Sequence, residues 1–321
     1  MGRAVKTVFK KAAALALTLL LASFLVFLAF QLIDGDPART MLGAEATEAR
    51  VTELQAELGL DKPFLTRYFG WLGGFVTGDF GVSFSSREQV GAILAPKIGV
   101  TVTMSLLSFA LIVLFGVPAG LFSARLRHPA AVAAQTFFDQ LFMAVPPFVL
   151  GVGLSWVFGI LLKVFTPLEF PSLTADPAGA LRYLFFPALS LAVPRAAMTA
   201  RMLRASVREE LNKDYVLASM ARGASPRQAE VRHVLKNALP PTVSFLAQTV
   251  AELVGGGVIV EQVFGVPGLG GVLVDAIGKR DYPVACTVIV ILAFFVILSH
   301  AAADAVNLAA DPRRRGGEAR V

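Results

Sequence analysis

Few residues in this 321-residue chain are of a type that does chemistry, and their spacing argues against most reactions. His128, His233 and His300 fall on different segments, which gives little support to a metal site or a histidine base. Cys286, the single cysteine, lies in an apolar run without a partner, so no disulfide framework or thiolate metal site follows. The run from Gly265 to Gly271 is rich in glycine. It lacks the Gly-Lys-Ser/Thr ending that places a lysine on phosphates and a hydroxyl on magnesium. Two charges stand out inside apolar stretches: Arg195, which follows Pro194, and Glu252. At ~1.5 Å of rise per residue from the inner ends of their helices they lie about 12 and 16 Å deep, so they can meet. An uncompensated charge at such depth costs at least ~2.5 kcal/mol. Two arrangements answer that cost. Either the charges pair beside a watery path, or Arg195 reaches the interface while Glu252 packs protonated against another subunit.

A second polar feature is the basic island from Asp214 to Pro241. Gly223 suits a left-handed helix end. Ser225-Pro226-Arg227-Gln228 restarts a helix, with Ser225 as N-cap, Pro226 at the first helical position and Gln228 as the reciprocal partner. The pattern fits an ordinary capped connection and equally a protruding two-helix knob that docks into another protein. His233 lies on it, as a surface contact or simply as a solvated side chain.

These residues must be positioned by a membrane protein. The chain is 55% hydrophobic and 16% charged, with mean hydropathy +0.67, too apolar for an ordinary soluble domain. A net charge of +6 would suit nucleic acid in a soluble protein, but in a membrane chain Lys and Arg mark inner loops. Residues 1–11, carrying Arg3, Lys6, Lys10 and Lys11, form a cytoplasmic N-terminus, and 12–33 form an uncleaved first span, longer than a secretory core.

Residues 34–98 read as a folded extracytoplasmic segment. In it Thr47 caps a helix bearing Val51, Leu54 and Leu58 and ending at Gly59. A second helix, with Phe64, Tyr68, Phe69, Trp71 and Leu72, lies at the interface; it is a packing platform or a binding surface. Further spans are expected near 100–122, 133–158 (broken at Pro146-Pro147), 184–203 (broken at Pro187 and Pro194), 242–260 (with Gly255-Gly256-Gly257) and 284–306. The Pro146-Pro147 kink either lines a path or accommodates a neighbouring helix. Together residues 99–308 form a core whose polar loop spans 204–240, followed by a cytoplasmic tail at 309–321. Segments assigned inside hold 18 Lys and Arg against 10 outside, which puts both termini and the island in the cytoplasm.

Ala218, Ala221, Gly223, Ala224, Ser225, Arg232, His233 and Leu235 resemble the EAA loop of permease subunits of binding-protein-dependent ABC importers. The run Arg232 to Leu239 is similar to the dipeptide, oligopeptide and nickel branch, of the first-permease or B type. So are Gly35-Asp36-Pro37, Glu57 to Asp61, Gly78 to Gly81, Glu261 to Gly270, Arg280 to Val284 and the Asp311-Pro312-Arg313 end. Leu217 departs from the glutamate that opens the motif, so a salt link there is not carried over.

The resemblance implies an all-α type I importer permease of six transmembrane helices with an extracytoplasmic helical insertion after the first. It also implies that Asp214, Tyr215, Ala218, Ala221, Arg222, Gly223, Ala224, Ser225, Arg232 and His233 contact an ATPase subunit through a coupling helix. The implied partners are a second related permease, two ATPase subunits and an extracytoplasmic solute-binding protein in a bacterial inner membrane. No cofactor is expected in this chain, ATP and Mg belonging to the partners. The expected role is half of the pore for peptides or similar solutes, nickel and glutathione being alternatives, without enzyme activity of its own. An ion-coupled secondary transporter would show repeated halves, for which the sequence offers no convincing match. An intramembrane enzyme would need paired carboxylates or a histidine-rich cluster.

Overall fold

The computed structural model describes residues 2–32, 35–43 and 46–310. Ile33, Asp34 and the 311–321 tail lie outside the described residues, as do the side chains of Arg3, Lys6, Lys10 and Lys11. Helices dominate: α1 (Gly2–Leu32), α2 (Pro37–Leu42), α3 (Glu48–Glu57), α4 (Phe64–Thr77) and α5 (Val90–Ala124) are followed by α6 (Pro129–Ala144) and α7 (Pro147–Leu154). A wider π-helical turn, Ser155–Leu161, extends α7. Then come α8 (Pro177–Leu211), α9 (Asp214–Ala221), α10 (Pro226–Ala229), a π-turn at Glu230–Val234, α11 (Leu235–Phe264), α12 (Leu269–Gly278) and α13 (Tyr282–Ala310). Among the described residues five helices are long and apolar enough to cross a membrane, or six spans if the bent pair α6–α7 counts as one.

The proline-rich spans differ from expectation in instructive ways. Pro146-Pro147 breaks the third span by 93°. Val145, pushed to extended φ/ψ by the proline after it, ends α6, and Pro147 sits in the first turn of α7. Pro187 and Pro194, by contrast, do not break the fourth span: α8 runs unbroken over 35 residues and starts at Pro177, inside the expected outer loop. A proline removes one amide and leaves the helix continuous where neighbouring helices hold it, and most of α8 between Ala180 and Val207 is buried. Pro240 and Pro241 likewise sit within α11, near its start, so the fifth span begins well before residue 242. The second span begins at Val90, inside the segment assigned to 34–98.

The chain forms two compact units. The first, residues 1–101 with 267–297, holds a core in which Phe27, Phe30, Tyr68, Leu94, Leu269 and Val288 are buried. Val51 and Leu54 of α3 are buried as their spacing predicts, and Thr47 occupies the N-cap position without a side-chain bond. Asp281 (3% exposed) is the polar centre of this unit. Its carboxylate accepts from Ser83 Oγ, from Phe84 N at 3.0 Å and from Ser85 N at 3.2 Å, fixing the 81–89 loop. The second unit, residues 102–266 with 298–321, is organised on α8. There Gly116 and Gly120 of α5 lie so close that an added Cβ would come within 2.9 and 3.0 Å of the Ala196 and Ala200 carbonyls of α8.

Candidate functional site

The island folds as two short helices around a glycine break. Gly223 adopts φ +93°, and Gly223 N and Ala224 N close α9 on Met220 O and Ser219 O at 2.9 and 3.2 Å. The capping box is formed reciprocally: Gln228 N donates to Ser225 Oγ at 3.3 Å and Ser225 N to Gln228 Oε1 at 3.0 Å. Val216, Ala229, Val234 and Ala238 bury the inner face against Leu203 and Val207 of α8 and Ala124 of α5.

The outer face is open. Asp214, Ala218, Ala221, Arg222, Gly223, Ser225, Arg232 and His233 are exposed, Ala224 half-buried. Leu217 and Val231, 54% and 57% exposed, add apolar area to this otherwise polar face. Tyr215 differs from the expected outward contact. Its hydroxyl donates to Glu210 and accepts from Asn237 Nδ2 at 3.1 Å, holding α9 to α8 and α11. Burial, then that bond to Glu210, raises the phenol above its ordinary value. The Lys213 ammonium also donates to Glu210, and that bond raises its pKa.

Arg125 fastens the island to the end of α5, and Arg208 fastens α8 to the same end. Arg125 grips Glu230 through both Nε and Nη2 at 3.0 to 3.2 Å; Glu230 is 9% exposed, in the π-turn. Arg208 of α8 donates to the carbonyls of Ser123, Ala124 and Leu126 at 3.1 to 3.4 Å, satisfying acceptors that a helix end otherwise leaves orphaned.

Arg195 of α8 and Glu252 of α11 lie 2.5 Å apart, with side chains 34% and 46% exposed. Beside them on α11, Gly255 and Gly256 face open space. Sequence counting singles out only these two charges inside spans and overlooks a more buried pair. Arg204 of α8 meets Asp139 of α6 at 2.7 Å, with Gln135 Nε2 on the other carboxylate oxygen at 2.8 Å. Asp139 is 3% and Arg204 9% exposed. The available signal was one carboxylate within the otherwise apolar 133–158 stretch. Among the described residues no cluster of three or more His, Cys, Asp or Glu is placed to hold a metal.

Comparison with known proteins covers nearly the whole chain. The family described as binding-protein-dependent transport system inner membrane component matches residues 116–316, and the N-terminal family of the same membrane components matches 4–107. The "Probable peptide ABC transporter permease protein y4tP" of Sinorhizobium fredii is 34% identical over 290 residues, covering 90% of this chain and 93% of that protein. The glutathione transport system permease protein GsiC of Escherichia coli (strain K12) is 34% identical over 311 residues, covering 96% and 98%. With an all-helical fold of five to six apolar spans, the chain belongs to the inner-membrane permease components of binding-protein-dependent ABC transport systems, in their dipeptide and oligopeptide branch.

Proposed function

We propose that this chain is one half of the pore of an ATP-driven importer, and that the Asp214 to Pro241 knob is its contact with a partner ATPase. A second permease completes the pore, a binding protein delivers solute from outside, and both termini face the cytoplasm. ATP and Mg are handled by two ATPase subunits, and this chain needs no cofactor of its own. The supporting observation is the attachment of the knob. Its outer face is exposed while Arg125–Glu230 and the Tyr215–Glu210 bond tie it to the end of α5 and to α8, and Arg208 ties those two helices to each other, so a push on the knob moves whole helices rather than a loop.

Peptides or glutathione-like solutes fit the relatives' names, the binding protein making the selection. The ligand retained by the cognate binding protein identifies the solute. Arg195 and Glu252 face the path as a pair, their partial exposure fitting contact with water or solute. Gly223→Val and Ala221→Asp are the direct test. Each should leave the chain in the membrane but separate ATP hydrolysis from solute uptake in the assembled transporter. Normal coupled transport in both variants would overturn the assignment.

A further inference from the structure

The first unit contains a cavity of its own, lined by α3, α4 and the 80–87 loop. Helix α4 lies along α1: Tyr68 and Ser23 hydroxyls are 3.0 Å apart, and Phe24 and Phe27 of α1 pack on Phe64, Tyr68 and Trp71. Ser23 is nine residues from the Leu32 end of an apolar span, so Tyr68 meets α1 about 13 Å below that end, and α4 sits against the outer part of the span. Leu65, Phe69 and Val76, 54 to 78% exposed, agree with a helix whose outer face meets lipid.

Arg67 projects from this helix and is half-buried. Its guanidinium lies 5.8 Å over the Phe27 ring, and its one protein hydrogen bond among the described residues is a long 3.5 Å contact to Leu60 O. A cation placed at such depth requires a compensating anion or water.

Arg67 borders a cavity of about 690 Å3, walled by Trp71, Phe80, Phe84 and Tyr282. Lys62 and Arg87 also line it, against the single carboxylate of Glu57, which lies 3.6 Å from Arg87. The buried Trp71 Nε1 has no protein partner among the described residues. Cations, an indole donor and aromatic walls at membrane depth suit an anionic head on an apolar body.

We propose that this cavity binds an acidic phospholipid of the outer leaflet, its phosphate against Arg67 and Lys62 and its apolar part on the aromatic wall. The assignment rests on the reading that residues 34–98 are extracytoplasmic, but not on any transport activity. The test is retention of lipid by the full chain, purified into nanodiscs of equal phosphatidylglycerol and phosphatidylcholine and read by native mass spectrometry.

The unmodified chain should retain phosphatidylglycerol preferentially, Arg67→Lys should keep most of that preference, and Arg67→Gln should weaken it about 10-fold, the loss of one charge-assisted contact. Equal retention by Arg67→Gln and the unmodified chain would overturn the site. A second arm uses the unmodified chain alone, so that a poorly folding variant does not decide the matter: millimolar inorganic phosphate or a short apolar peptide is added. Lipid that stays bound supports the proposal, whereas displacement by either reassigns the cavity to a free anion or a peptide carboxylate and refutes it.

Discussion

Removing one partner of the Asp139–Arg204 pair should be far more damaging than removing both. The Asp139 and Arg204 side chains are 4% and 11% exposed and 2.7 Å apart, so water contributes little to solvating either. With charge centres about 4 Å apart, the Coulomb attraction is ~4 kcal/mol at an effective dielectric of 20. Arg204→Met leaves a buried carboxylate bonded only to Gln135, and Asp139→Leu leaves a buried guanidinium; each should cost about 3 to 5 kcal/mol. The double variant replaces the pair with apolar groups of similar volume and should fall within about 1 kcal/mol of the unmodified chain. The assay is a double-mutant cycle of SDS-induced unfolding in mixed micelles. A coupling energy near zero, with the single costs simply adding, would refute the claim that α6 and α8 are joined by a desolvated pair rather than by apolar packing.

Other sites give sharper local tests. Gly120→Val should cost about 1 to 3 kcal/mol in the same unfolding assay, because its Cβ would press on the Ala200 carbonyl, whereas Gly255→Ala, which meets nothing, should leave the chain's stability unchanged. Asp281→Ala removes the acceptor for Ser83, Phe84 and Ser85, so hydrogen exchange at residues 83–87 should accelerate at least tenfold. Unaltered exchange there would show that the loop is held by something else. Reversal of both charges in Arg195→Glu with Glu252→Arg should recover uptake lost in either single reversal, and a double reversal no better than the singles would argue against the pair.

The parts of the fold that follow local rules were legible in the sequence. Gly223, Ser225 and Gln228 act over three or four residues, and their left-handed turn and capping box form as spacing alone requires. Arg195 and Glu252 stood out for another reason, a charge in hydrocarbon having few remedies, but the sequence left open whether they pair; the structure brings them together. The prolines were not legible, because the cost of a missing amide depends on neighbours. Pro146 with Pro147 ends a helix whose outer faces are open, while Pro187 and Pro194 are tolerated inside α8, whose surroundings are packed. Asp139 was missed because its partner lies 65 positions away, on a helix whose inner end had been assigned to a polar loop.

The placement of charges on α8 gives a mechanical reason for its continuity. Arg195 and Arg204 are nine residues apart, which at 100° per residue sets them on opposite faces, one engaging α11 and the other α6. Arg208, one turn beyond Arg204 and on nearly the same face, holds the end of α5, and Glu210 in the last turn receives Tyr215 from α9. Four neighbouring elements are therefore fastened to one rod by polar contacts that resist sliding more than apolar packing does, because a slip of even 1.5 Å would strand a charge. Had Pro187 or Pro194 broken that rod, a displacement at the knob would be absorbed at the break. In the proposed coupling, an unbroken α8 would carry it from Glu210 to Arg195, over fifteen residues and about 22 Å.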